Sequence, residues 1–189
     1  MFAQAFHPAM KFVAPVRREI GVRTVFNILG PLTNPARAQA QVLGVPDASV
    51  ADKLARVLMR LGTMHALVVH GDDGLDEISV SATTRVYEVK DGAVVSSSIA
   101  PAEFGLSPHD EASVRGGSPA ENAESLRCVL AGVPGPLRDF TLLNAAAALV
   151  AADLSPDMKA GLSLAAQSID SGAARERLEA WVRISNEVK

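Results

Sequence analysis

Residues 49–70, SVADKLARVLMRLGTMHALVVH, decide the fold class. Val50, Leu54, Val57, Leu58 and Leu61 recur at three- and four-residue intervals, which lays them along one stripe of a helix. The spacing predicts that helix over Ser49–Leu61, with Ser49 as its cap and Gly62 as its stop. His65-Ala-Leu-Val-Val-His70 follows as a short, nearly continuous apolar run, as expected of a buried parallel strand. Upstream, Gln39–Val45 reads as another strand that ends at Pro46. A helix followed by such a strand is half of a βαβ unit, the building block of α/β folds.

Beyond this unit the chain divides into a sheet-forming stretch and a helical C-terminal half. Thr83–Val89 and Ala93–Ile99 flank Lys90-Asp-Gly92, a pattern that predicts a hairpin. Ser118-Pro-Ala-Glu121 is a capping box with proline at the first helical position, and it opens a helix to about Ala131. Pro136–Ala152 reads as a second, largely buried helix; Ser155-Pro156 starts a third, and Ser171 to about Glu187 makes a fourth. Toward the N-terminus, residues 8–20 read as a short helix ended by Gly21, carrying Met10, Val13 and Val16 at helical spacing. Thr24–Leu29 fits either a strand or a helical turn, and the prolines of Gly30-Pro-Leu-Thr-Asn-Pro35 impose irregular backbone. No repeat or low-complexity linker separates these parts, so residues 1–189 read as a single domain.

Composition narrows the function classes. The chain is 48% hydrophobic and 21% charged, with a formal charge of −3, so it can bury a core and is neither a disordered tail nor a strongly basic nucleic-acid binder. Six Phe, one Trp and one Tyr are too few for a base-stacking platform. No apolar run approaches the ~18 residues of a membrane span, because Asn144 interrupts the longest candidate, Leu142–Ala152. The N-terminus lacks a signal-peptide layout, which points to the cytoplasm. The single Cys128 cannot form an internal disulfide, and it is expected as a small buried residue on its helix.

The charge is unevenly spread. Up to Val45 there are five cations (Lys11, Arg17, Arg18, Arg23, Arg37) against one acid, Glu19, while the remainder is acidic. A basic, phenylalanine-bearing front suits an anionic ligand, and a solvated helix face is the alternative. Arg17-Arg18-Glu19 could grip a carboxylate through a guanidinium fork or form a surface pair. Asp76-Glu77, just beyond the buried strand, could hold a hard cation such as Mg²⁺, with Asp72-Asp73 deepening the potential; a solvated acidic turn is the alternative. Gly116-Gly117 could present free amides to an anion or merely feed the capping box. His65 and His70 fall on opposite faces of their strand, and His7 and His109 lack zinc-like spacing. No Walker loop, dinucleotide fingerprint or serine-hydrolase elbow is present.

In combination these patterns are more specific than any one of them. His7-Pro-Ala-Met-Lys11, Val16-Arg-Arg-Glu-Ile-Gly-Val-Arg-Thr24 and Phe26-Asn-Ile-Leu-Gly-Pro-Leu-Thr-Asn-Pro-Ala36 resemble the anthranilate phosphoribosyltransferases of tryptophan biosynthesis. His70-Gly-Asp-Asp-Gly-Leu-Asp-Glu77 and Gly117-Ser-Pro-Ala-Glu-Asn-Ala123 continue that resemblance in the same order, over essentially the whole chain. It implies an α/β fold, the C-terminal portion of the nucleoside phosphorylase/phosphoribosyltransferase large domain, with a helical C-terminal half. It also implies that Arg17 engages the anthranilate carboxylate, and that Ala3, His7 and Met10 line the anthranilate channel, with Gln4 where a proline is common. Asp76 and Glu77 would help bind Mg²⁺ with phosphoribosyl diphosphate.

The resemblance further implies a homodimer formed through an N-terminal helical domain. That domain, the family's Gly-Thr-Gly-Gly-Asp loop and its Lys-His-Gly-Asn segment have no counterpart in these residues. The expectation is therefore a C-terminal part of the catalytic domain that is inactive alone. The alternatives are a non-catalytic ligand-binding or assembly fragment, and a relative of the pyrimidine nucleoside phosphorylases.

Overall fold

The computed structural model describes residues 6–8, 10–22, 29–30 and 32–187. It divides into two compact units, Met1–Gln39 and Ala40–Lys189.

In the first unit, helix α1 (Met10–Ile20) contains Pro15, and Gly21, at φ +65°, ends it. Of Thr24–Leu29, expected as a strand or a helical turn, residues 24–28 lie outside the described residues and Leu29 is helical. Beyond residue 28, where the two prolines predict irregular backbone, residues 29–30 and 32 are instead helical, and irregular backbone follows from Thr33. Thr33 Oγ1 donates to the Leu29 carbonyl at 2.9 Å, and Asn34 Oδ1 accepts from the Ala36 amide at 3.0 Å.

The second unit is built on a four-stranded sheet in sequence order: β1 (Ala40–Gly44), β2 (His65–Gly71), β3 (Thr84–Lys90) and β4 (Ala93–Ile99). β1 and β2 are parallel, with Ala40 opposite His65, and helix α2 (Ala48–Arg60) makes the crossover. β2 is buried at all seven positions, as its apolar run predicts. Its other neighbour, β3, is antiparallel, so the sheet is mixed. The β3–β4 hairpin turns at Asp91 (φ +50°) and Gly92 (φ +72°), whose positive dihedrals match the right-handed twist of the strands.

After two short 3-10 helices, Pro101–Phe104 and Glu111–Val114, come four α-helices among the described residues: α3 (Pro119–Leu130), α4 (Pro136–Ala151), α5 (Met158–Asp170) and α6 (Ala173–Glu187). Leu143, Ala147 and Ala151 of α4 join Leu67, Val69, Ile78, Val80 and Val86 in one core cluster against the sheet. Strand alternation turns Ala66 and Val68 to the opposite face, where α2 buries Ala51, Leu54, Ala55 and Leu58. A second cluster joins Val129, Leu142, Ala165 and Ile169 and holds α3, α4 and α5 together. Gly161 of α5 lets the helices close up, since a Cβ there would stand 3.0–3.2 Å from atoms of Ala146. Among the described residues no helix is long and apolar enough to cross a membrane.

Several local expectations are corrected. The cap of α2 is Asp47, not Ser49: Asp47 has extended backbone and its carboxylate accepts from the Ser49 amide. The third C-terminal helix starts at Met158 rather than at Ser155-Pro156, because the carboxylate of Asp157 takes the Ala160 amide while Ser155 Oγ donates to the Asp157 carbonyl. The fourth starts at Ala173, two residues after Ser171, which forms the C-cap of α5. Cys128 is exposed, because α3 turns the next residue, Val129, into the core. The capping box at Ser118 forms as read, with Glu121 reaching back to the Ser118 amide at 2.8 Å.

Candidate active site

Parallel strands direct their C-terminal ends, and the loops that leave them, to one edge of the sheet, which is where α/β folds present ligand sites. Here β1 ends at Gly44 and β2 at Gly71, and the acidic stretch 72–77 begins the β2–β3 loop. The loop is closed by its own backbone: Gly71 donates to Leu75 (2.9 Å), Gly74 to Gly71 (2.8 Å) and Asp72 to Thr83 (2.8 Å).

The four carboxylates of this stretch do different work. Asp72 accepts from Arg85 Nε at 2.9 Å and is tied to the hairpin. Asp73 turns inward, accepting from Ser79 Oγ and the Leu75 amide, while Ser79 Oγ accepts from the amides of Ser81 and Ala82. Asp72 and Asp73 are thus structural partners of the loop. Asp76 is exposed and Glu77 half-buried, side by side at its outer turn. Burial, then the neighbouring Asp76 charge and a hydrogen bond with it, push the Glu77 carboxyl above the ordinary range. Two adjacent hard-oxygen donors of like charge fit a divalent cation that keeps waters and takes its remaining ligands from substrate oxygens. Among the described residues no group of three or more His, Cys, Asp or Glu could hold a metal ion, so the pair stands as a two-carboxylate site.

Two contacts from other elements fix where this pair stands, and neither Gly44 nor Asn144 is a functional candidate by sequence. The backbone of Asp76 crosses the end of β1 at Gly44: a Cβ there would lie 2.6 Å from the Asp76 carbonyl carbon, with the oxygen nearer still. Gly44 lacks a positive φ, so space and not conformational freedom demands the glycine. On the other side, Asn144 of α4 binds the backbone of Ile78, accepting from its amide at 2.9 Å and donating to its carbonyl at 3.0 Å. Within the loop, Asp73 and Ser79 form the internal bridge. A lone amide in an Ala-rich buried helix was the available signal for Asn144; the Gly44 contact has no sequence signature.

The other candidates belong to other segments of the chain. Arg17 lies on α1, with Arg18 and Glu19 exposed beside it; the side chains of Arg17 and Met10, and the whole of Ala3, lie outside the described residues. His7 donates from Nε2 to the Thr33 carbonyl at 3.0 Å, which joins two of the motif blocks within the first unit. At Gly116-Gly117 the Gly117 amide donates to Asn122 Oδ1 and the Ser118 amide to Glu121, so the chain's own side chains take these two amides. His65 is buried between Glu88 (2.9 Å) and Asp153 (3.0 Å), His70 donates to the Val45 carbonyl (2.8 Å), and His109 pairs with Asp139 (2.7 Å). These histidines tie elements of the second unit together.

Known proteins resemble this chain in sequence and in fold. The chain is 55% identical over 187 residues to an anthranilate phosphoribosyltransferase of Chloroflexus aggregans, an alignment covering 98% of this chain and 55% of that protein. The crystal structure of the anthranilate phosphoribosyltransferase from Thermus thermophilus superposes with a TM-score of 0.86 at 46% identity, over 94% of this chain and 52% of that one. The Saccharomyces cerevisiae enzyme in complex with PRPP and Mg does so at 0.83 and 31% identity, over 92% and 50%. The chain therefore spans about half the length of the relatives it matches. The family model described as "Glycosyl transferase family, a/b domain" matches residues 1–175, which take in both the basic front and the acidic loop, and the chain belongs to that family.

Proposed function

We propose that this chain is a working part of an anthranilate phosphoribosyltransferase. The observation that carries the reading is the Asp76–Glu77 pair at the C-terminal edge of β2, in a chain 55% identical to proteins of that name. In the reaction the amine nitrogen of anthranilate bonds to the anomeric carbon of phosphoribosyl diphosphate. The bond from that carbon to the diphosphate oxygen breaks, diphosphate leaves, and the amine gives up a proton.

Each group then has a task. Arg17 holds the anthranilate carboxylate, for which a planar guanidinium is suited, and Ala3, His7 and Met10 line the approach of the aromatic ring. The His7–Thr33 hydrogen bond fixes the imidazole as part of that wall. Asp76 and Glu77 would hold Mg²⁺, which when bound supplies neutralisation of the diphosphate charge. Because the aromatic amine is a neutral nucleophile, rate comes from positioning and electrostatics and needs no dedicated general base. The same reading carries a cytoplasmic location, a single α/β domain to which residues 1–189 contribute and, for the whole protein, a homodimer.

The test follows loss of anthranilate fluorescence with phosphoribosyl diphosphate and Mg²⁺. It compares this chain alone with the chain completed by the N-terminal half of the Chloroflexus aggregans relative. Turnover is expected from the completed protein and little from the chain alone. A completed, folded protein without turnover refutes the function; equal rates refute dependence on the added half. In the completed protein, Arg17→Ala is expected to raise the anthranilate KM, and an unchanged KM removes Arg17 from the site.

A further inference from the structure

Asn144 is costly where it stands. It interrupts a helix otherwise lined by Leu142, Leu143, Ala146 and Ala147, and a half-buried amide must find partners for its donors and acceptor. It finds them on one residue of a distant loop. Oδ1 accepts from the Ile78 amide and Nδ2 donates to the Ile78 carbonyl, with a second Nδ2 bond to the Phe140 carbonyl at 2.9 Å. Ile78 directly follows Glu77, so its amide belongs to the peptide plane that carries the Glu77 carbonyl. The bond to the Ile78 amide fixes that plane at one end of the acidic pair, and the bond to the Ile78 carbonyl fixes the next one. At the other end the Asp76 carbonyl lies over Gly44.

Closing the loop does not require this clamp. The backbone bonds of Gly71, Asp72 and Gly74 and the Asp73–Ser79 bridge close the loop from within. What these internal bonds leave open is the placement of the turn relative to the sheet edge, and Gly44 and Asn144 supply it from β1 and α4. We propose that Asn144 is a positioning residue: its two-point clamp on Ile78, opposite the close approach at Gly44, sets the Asp76–Glu77 carboxylates for a divalent cation. This rests on the metal role given to the pair above, and it adds a residue that touches neither cation nor substrate.

The test uses the ¹⁵N-labelled chain and Mn²⁺ as a paramagnetic stand-in for Mg²⁺. Titrated Mn²⁺ is expected to broaden the amide signals of Asp76 and Glu77, and Asp76→Asn with Glu77→Gln to abolish the effect. Asn144→Leu, of similar size, is expected to weaken Mn²⁺ affinity about tenfold, as loss of a supporting contact behind a metal ligand does. Slow exchange of the Leu143 and Ala147 amides checks that α4 still packs in the variant. A folded Asn144→Leu chain with wild-type Mn²⁺ affinity overturns the proposal. If that variant does not fold, hydrogen exchange in the wild type decides. An Ile78 amide as protected as that of Leu143 supports the clamp, and one exchanging at the rate of open loop amides overturns it. Mn²⁺ broadening that is missing in the wild type, or that survives loss of both carboxylates, refutes the metal role instead, and the Ile78 exchange then decides the clamp by itself.

Discussion

Gly44→Ala is the sharpest perturbation of the candidate site, because the methyl group lands on backbone. Its Cβ would stand 2.6 Å from the Asp76 carbonyl carbon and 3.3 Å from the Asp76 Cβ. Ordinary carbon contacts are about 3.5 Å, so the Asp76 peptide must retreat by at least ~1 Å, and no rotamer change can absorb the shift. Overpacking of this kind costs about 1–3 kcal/mol, which for a domain of this size lowers Tm by roughly 2–12 °C. A displacement of ~1 Å at a positioning group can cost on the order of 100-fold in rate. The assay is thermal unfolding of the chain, paired with kcat/KM of the protein completed as above, with Gly116→Ala as the control. Gly116 has no positive φ, and its nearest neighbour, Asn122, is 3.5 Å from the added methyl, so its Tm is expected to stay level or rise slightly. Gly44→Ala with the Tm and kcat/KM of Gly116→Ala would refute the claim that β1 positions the acidic turn.

Three further outcomes are expected. Lys90 and Asp153 pair at 2.7 Å; the hydrogen bond to Asp153 holds Lys90 above its ordinary value, and the bond from Lys90 holds Asp153 below its own. The depressed acid contributes stability above 3.8 that is lost as pH falls through its folded value, and the raised base contributes below 10.5 and is lost as pH rises through its own. The urea stability gap between wild type and Lys90→Met should therefore be widest near neutrality and shrink at both extremes; a gap constant down to about pH 3 contradicts the pairing. Leu143, 1% exposed in the cluster between α4 and the sheet, should cost about 2–5 kcal/mol on truncation to Ala by urea denaturation, and a loss under about 1 kcal/mol would contradict its packing. Cys128 should react with Ellman's reagent in native buffer, whereas a thiol that needs denaturant would return it to the core.

Elements whose signals are local were legible in the sequence. The stripe of α2, the apolar run of β2, the Asp91-Gly92 turn and the Ser118–Glu121 box each carry their cause within a few residues. Helix starts are ambiguous in the sequence by one or two residues where two capping residues compete, as Asp47 does with Ser49 and Asp157 with Ser155. The exposure of Cys128 is not legible in the sequence, because α3 is only weakly amphipathic and its inward side is settled by Val129 meeting α4 and α5. The Asp76–Glu77 pair could be singled out by its place after a strand, but the roles of its neighbours could not. Nothing in the spelling Gly-Asp-Asp-Gly separates Asp72, which faces Arg85, from Asp73, which faces Ser79. Gly44 and Asn144 were hidden for a related reason: what they do depends on contacts 32 and 66 residues away.

That separation has a consequence for how the chain folds. The β2–β3 loop can close early from its own backbone bonds, but residues 76–78 reach their final place only when β1 lies under them and α4 has docked above. Contacts so far apart in sequence carry the larger loop-closure entropy and form late. The acidic turn is thus among the last parts of the second unit to mature, and a ribosome must deliver residue 144 before the carboxylates made many codons earlier can take up their working geometry.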